Sequence, residues 1–231
     1  MKNIFTLTIF CFLFSVSGFS QSKAYFTSGG EMIFSFANIK DNGKSESSIM
    51  RWAPVINVQC MVNKDMNTHI GLFSGLAFRN VGYIYDHYKM AGQEGQPDYT
   101  VKKKFRSYNL GIPVGIKLGN LDKMFLYAGY EIELPFIYKE KTFDGSDKTD
   151  KITGWFSDRE ELFQHGFFAG VQFPYGLNLK FKYYLSEFHN QDYVESNGNK
   201  PYKGLESQIF YFSLSTFLFK DFDYNGGQPG K

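Results

Sequence analysis

Residues 107–118 read Ser-Tyr-Asn-Leu-Gly-Ile-Pro-Val-Gly-Ile-Lys-Leu. Large apolar side chains take every second place: Tyr108, Leu110, Ile112, Val114, Ile116 and Leu118. Ser107, Asn109, Gly111, Pro113, Gly115 and Lys117 stand between them. A period of two places the two sets on opposite faces of a β-strand. Small residues fill a soluble core poorly, but they suit a narrow lumen whose wall turns its apolar face to lipid. The pattern returns along the chain and predicts eight strands, near 28–38, 52–63, 69–80, 107–118, 124–137, 162–173, 177–185 and 205–219. Most are about 9–13 residues long, near the ~9–11 of a tilted membrane-crossing strand.

The predicted lipid-facing set is Leu110, Ile112, Val114, Ile116, Ile132, Leu134, Leu179 and Phe181, with Phe210, Phe212, Leu214 and Leu218 on the last strand. The inward set carries charge: Glu31, Arg79, Lys117, Glu131, Glu133, Lys180 and Lys182. A lumen of eight strands is just wide enough for side chains to fill it. Charges there must pair, because an unpaired buried charge costs several kcal/mol. The four basic and three acidic residues therefore predict an ion-pair plug. A turn centred near Leu121 would put Glu131 opposite Gly111 and Glu133 opposite Asn109; one near Tyr175 would put Lys180 opposite Gly170.

The connections alternate in length. Short turns at 63–68, 119–123 and 174–176 separate long polar stretches at 39–51, 81–104, 138–161 and 186–204. Tight periplasmic turns and extended outer loops are the rule for outer-membrane barrels. The expected fold is an all-β, eight-stranded antiparallel up-and-down transmembrane barrel with both termini in the periplasm. Tyr85 and Tyr88 are expected near the lipid headgroups, on loop feet that continue the strands.

The ends add an address. Lys2 followed by the apolar run 4–16, with Gly18 and Ser20 at the −3 and −1 places, reads as a signal peptide over 1–20. The barrel domain is then 21–220, and 221–231 a flexible polar tail. The whole chain has 25 Lys and Arg against 23 Asp and Glu. Loss of Lys2 with the leader leaves a balance of +1, no basis for nucleic-acid binding. Cys60 is left as a single cysteine, so no internal disulfide is expected. Phe and Tyr number 26 and 16. With a mean hydropathy of −0.31, they suit strands with one oily face and aromatic belts rather than membrane helices.

In these features the chain resembles the small bacterial outer-membrane β-barrels, the OmpA/OmpX-like and PorT-like families. The resemblance lies in 29–36, 108–118, 126–136, 167–173 and 174–185, behind the leader. It implies a bacterial outer-membrane location and contact with outer-membrane lipid. It also implies handling by the barrel assembly machinery. Such barrels often end on an aromatic that this machinery is thought to read; Phe217 and Phe219 are so placed, with 12 residues after Phe219. For activity the resemblance is unspecific.

No motif supplies a reaction. His69, His87, His165 and His189 are scattered without metal-ligand spacing, so no metal or cofactor is expected. His165 with Asp158, Glu160 and Glu161 is the one local cluster of catalytic residue types, and it reads more simply as a loop rim. The expected role is non-enzymatic: a structural or cell-surface part, meeting an extracellular ligand or protein through its outer loops. Lys102–Lys104 could also pair with anionic lipid headgroups. The alternatives are a narrow channel or gate for small polar solutes or ions, a component of an export complex, a soluble lipocalin-like binder and an outer-membrane hydrolase.

Overall fold

The computed structural model describes residues 24–90, 97–216, 218 and 219. The predicted leader, the tail 221–231 and Phe217 lie outside them. Twelve strands follow in chain order: β1 (Tyr25–Asp41), β2 (Lys44–Glu46), β3 (Ser48–Ile49), β4 (Arg51–Ala53), β5 (Val58–Asp65), β6 (Ile70–Met90), β7 (Tyr99–Asn120), β8 (Met124–Asp144), β9 (Asp147–Trp155), β10 (Gln164–Gln172), β11 (Leu177–Tyr184) and β12 (Leu205–Thr216). Eight of them close a ring in the order β1, β5, β6, β7, β8, β10, β11, β12, and every pairing is antiparallel. The seam joins the first strand to the last, with Glu31 opposite Ser215 and Phe36 opposite Phe210. The protein is thus an eight-stranded antiparallel barrel, and closure leaves no edge within the ring, while β9 stands outside it and pairs with β8 alone.

The second strand is broken. β2, β3 and β4 form short pieces above β5, opening from a two-residue turn at Asn42–Gly43, both with positive φ. That geometry joins tight hairpins without splaying the strands.

The two wall faces differ in kind. Among outward residues, Leu110, Ile112, Val114, Ile116, Ile132, Leu179 and Phe181 are exposed, and Leu134 is half-buried on the same face. Val114 is 58 % exposed, whereas Glu131, Glu133 and Lys182 are at 0 %. An apolar exterior around a charged interior inverts a soluble protein. A contiguous apolar surface of this kind faces lipid rather than water.

Several expectations need correction. Leu218, placed outward from its alternation, is buried, because it lies beyond the end of β12 at Thr216, where its carbonyl accepts from the inward Thr27 hydroxyl at 2.6 Å. Tyr108 stays on the outer face but is covered by Phe78 and the Lys139 ammonium. The β7–β8 register differs by two residues: Glu133 lies opposite Gly111 and Glu131 opposite Pro113. The turn therefore centres on Asp122 rather than Leu121. Lys180 does lie opposite Gly170.

The largest correction concerns 81–104 and 138–161, expected as loops. β6 runs on to Met90, β7 starts at Tyr99, and β8 and β9 form a long hairpin. Above Ser107 the polarity of the wall reverses. Val81, Tyr83, Tyr85, Phe105 and Tyr138 point inward and are buried, while Lys104, Arg106, Lys139 and Lys141 point outward. The wall there is built like that of a water-soluble barrel.

Gly115 and Gly129 face each other across β7 and β8. The Phe73 ring occupies the space a Cβ on Gly115 would need, and the Phe168 ring lies at 2.5 Å from one on Gly129. Rings seated on paired glycines pack the lumen to its centre. Gly129→Val should cost about 1–3 kcal/mol by overpacking, read as a lower denaturant midpoint for refolded barrel in lipid vesicles. The nearest atom to a Cβ on Gly129 is the Val114 backbone carbonyl, so a midpoint unchanged from wild type would mean that the β7–β8 backbone as well as the ring can give way.

Candidate functional site: the occupied lumen

The inward side chains fill the barrel in three storeys. The lowest is aromatic. Phe73, Phe125, Tyr127, Phe168 and Phe219 cluster with Met61 and Leu121. Phe219 has ring centroids 5.0 Å from Phe73 and 4.8 Å from Tyr127. The aromatic expected as an end signal is therefore part of the floor. Beside this floor Lys117 pairs with Asp65 and donates to the Tyr25 hydroxyl at 2.9 Å. Asp65 was missed because it sits at the last position of β5, next to a turn, where a carboxylate reads as solvated.

The middle storey is ionic. Arg79 is held by Glu31, by Glu131 at 3.2 Å and by the Gln59 amide oxygen at 2.9 Å. Lys180 meets Glu31 at 2.7 Å. Lys182 meets Glu131 at 2.6 Å and Glu133 at 2.5 Å. Tyr184 donates to Glu133 at 2.8 Å, and the Asn109 amide donates to it at 2.6 Å. Ser213 donates to Glu31. Six of the seven charged residues read from the alternation thus meet in one cluster of three cations and three carboxylates. The seventh, Lys117, is the one with a separate partner in Asp65.

Neighbouring small residues explain how the charges reach one another. A Cβ on Gly111 would lie 2.5 Å from the Glu131 carboxylate and 3.1 Å from Glu133 Cγ. Glycine therefore leaves the volume that the two glutamates fill. Opposite Lys180, the space over Gly170 is filled by Tyr127 rather than by the lysine.

The upper storey is again aromatic and stands above the apolar belt. The connection 185–204 folds over the open end and inserts Phe188, His189 and Tyr202 among Tyr83, Phe105 and Tyr138. The His189 ring stacks on Tyr202 at 4.2 Å and shares a hydrogen bond of 2.9 Å with the Tyr83 hydroxyl. Lys103 bonds to Glu140 at 2.6 Å, and Glu140 accepts from Tyr138 at 2.8 Å and Tyr202 at 2.7 Å. Arg159 joins Tyr202 at 3.0 Å to Glu195 at 2.9 Å. Tyr85 and Tyr88, expected at the headgroups, instead turn inward and bond to Asp41 at 3.1 Å and to the Pro201 carbonyl at 2.8 Å. The alternation near 99–106 carried this signal in reversed form, with Val101, Lys103 and Phe105 inward.

The candidate catalytic cluster is not assembled. His165 lies on the outer face, bonded to Tyr130 at 2.6 Å. Glu160 is buried beneath the lid, backbone-bridged to His189.

Burial sets the charge state of this lid. It pushes the Glu160 carboxyl up from 4.5 to about 8. It pushes the His189 imidazole down from 6.5 to about 3. Burial would also raise Glu140, but Lys103 and the two tyrosines hold it below the usual carboxylate range. The raised Glu160 favours folding at low pH and loses that contribution as pH climbs from about 4.5 to 8. The depressed His189 contributes above about 6.5 and loses it as pH falls toward 3. Between about 4.5 and 6.5 the Glu160 and His189 slopes oppose each other, and from 6.5 to 8 the Glu160 loss is no longer offset; burial also raises the Glu187 carboxyl on the lid, which loses its contribution in the same direction. Amide-exchange protection of 186–204 should therefore hold level from pH 4.5 to 6.5 and fall by pH 8. Glu160→Gln should diminish the fall; a variant that keeps it in full would assign the effect to another group.

The fold and its interior define a transmembrane β-barrel whose lumen is occupied by an ionic cluster between two aromatic layers. No protein-family model matches the sequence, and no curated protein matches it. Among solved structures, it superposes on Ail, the attachment invasion locus protein of Yersinia pestis, crystallised with the heparin analogue sucrose octasulfate. That match has 9 % identity over 83 % of this chain and 97 % of that chain, with a TM-score of 0.40. It also superposes on Neisserial surface protein A (NspA), with 12 % identity over 84 % of this chain and 99 % of that chain and a TM-score of 0.38. With overlays this loose, the barrel assignment rests on its own strand pairing.

Proposed function

We propose that the protein is a non-enzymatic barrel of a bacterial outer membrane, closed to solutes by its own side chains and presenting its outer end for interaction at the cell surface. The observation that carries this reading is the middle storey: each of its cations meets a carboxylate, inside a wall whose outer face is apolar. A lipocalin-like binder would carry the opposite arrangement, an apolar interior beneath a polar exterior. A channel needs a continuous polar path, whereas here the charges stand between two layers of packed rings. The surface role is supported by the lidded outer end. There a cavity of about 530 Å³ is lined by Tyr88, Lys103, Glu140, Arg159, Glu195 and Pro201. Polar and aromatic groups held on a rigid rim are the usual makings of a recognition surface.

Two measurements test the reading. Refolded protein should need detergent or lipid to stay soluble, and should migrate differently on gels before and after boiling. In planar bilayers it should give no steady single-channel openings at neutral pH. Steady openings would replace the closed barrel with the narrow channel. Solubility without detergent would remove the membrane altogether.

A further inference from the structure

Directly above the apolar belt, one side of the outer wall holds cations without counter-ions. Arg106 lies opposite Lys139 across β7 and β8, and Lys104 lies opposite Lys141. Lys151 on β9 lies opposite Lys141 in turn. Like charges directly opposite in a sheet destabilise it. Among the described residues, none of these five forms a salt bridge, although Lys102 nearby finds Asp86 at 3.4 Å. Arg51, on β4, lies buried beneath this face with both terminal nitrogens held by Asn80. Together with Lys104, Arg106, Lys139 and Lys141 it lines a groove of about 210 Å³, and Trp52 stands at its foot. Burial and the cations around it, Arg106 first among them, hold the Lys141 ammonium below its usual value.

The level of the cluster identifies its partner. Trp52 and Trp155 are exposed on the same side, one pairing step from the belt residues Phe34 and Ile137. Tryptophans of this kind mark the boundary between hydrocarbon and headgroups. Cations just outside that boundary sit at the depth of lipid phosphates, which attract them by ~1 kcal/mol each. Arg106 brings a planar donor fork that matches phosphate oxygens.

We propose that this groove binds the phosphate-bearing headgroup of a lipid in the outer leaflet. The proposal rests on the membrane reading above, and it makes the uncompensated repulsion across β7, β8 and β9 the cost of a site that the lipid neutralises.

The test uses full-length barrel refolded in phosphatidylcholine vesicles containing a few per cent of a phosphorylated glycolipid, or of the same lipid after dephosphorylation. Barrel extracted in mild detergent and washed should retain the phosphorylated form and not the dephosphorylated one, read by native mass spectrometry. Lys139→Gln with Lys141→Gln should cut retention about tenfold or more. In phosphatidylcholine alone the same double variant should be at least as heat-resistant as wild type, because it relieves repulsion. A merely structural role would lower it. Equal retention of the two lipids by wild type overturns the proposal, and this arm stands even if the variant misfolds. Displacement of the lipid by millimolar inorganic phosphate or by a soluble sulfated oligosaccharide also overturns it, in favour of a soluble anion. Failure of the wild type to insert into vesicles would instead strike at the membrane reading.

Discussion

Replacing Arg79 by methionine should cost about 3–5 kcal/mol of barrel stability, the range for breaking a buried ion pair from one side. Arg79 is the cation that bridges Glu31 and Glu131. Without it the middle storey holds two ammonium groups against three carboxylates, all of them buried. The reason for the loss is the stranded charge rather than the missing attraction, and a second substitution separates the two. Glu131→Gln added to Arg79→Met leaves Lys180 on Glu31 at 2.7 Å and Lys182 on Glu133 at 2.5 Å, two complete pairs. The double variant should therefore be more stable than Arg79→Met alone, although it has lost more contacts. Urea titrations in vesicles, run as a double-mutant cycle, give the coupling directly. A double variant at the sum of the two single losses would mean that the cluster is not a closed charge set.

Arginine at Val114 should cost about 2–4 kcal/mol, since a cation on the lipid face is most unfavourable at mid-depth. Val114 is central in the outward run from Leu110 to Leu118 and is 58 % exposed. On a water-exposed wall the same change would fall within about 0.5 kcal/mol of neutral. The result thus decides which solvent the exterior meets. Arginine at Leu118, at the short-turn end of the run, should cost only about 0–1 kcal/mol. Equal losses at the two positions would point to local packing rather than to depth in a bilayer. No loss at either would remove the lipid from the picture.

The two substitutions test opposite faces of one wall, and those faces could be read before any coordinates. Side chains alternate strictly along a strand, so once Leu110 and Ile112 are placed outward, Asn109 and Gly111 must point inward. The same rule assigned the faces of Glu131, Glu133, Lys180 and Lys182. The rule failed where the solvent changed. Above Ser107 the wall leaves the apolar belt, and water demands the reverse pattern, with Phe105 and Tyr138 inside and Arg106 and Lys139 outside. Read with one solvent in mind, that reversed alternation resembles the polar mixture of a loop. For the same reason the upper aromatic lid, the Lys103–Glu140 pair and the basic groove went unassembled.

Within the apolar belt, alternation along single strands was enough to specify a barrel wall, the face each charge occupies and the small residues that give those charges room. Partnership needed the closed ring. A two-residue difference at one turn decided whether Glu131 or Glu133 faces Gly111, and only curvature brought Asp65 to Lys117, Glu31 to Lys180 and His189 to Tyr83. Local sequence sets the direction of a side chain because backbone sterics act over neighbouring residues. Which distant group it meets depends on strand stagger and lumen width, and both arise only once all eight strands have paired.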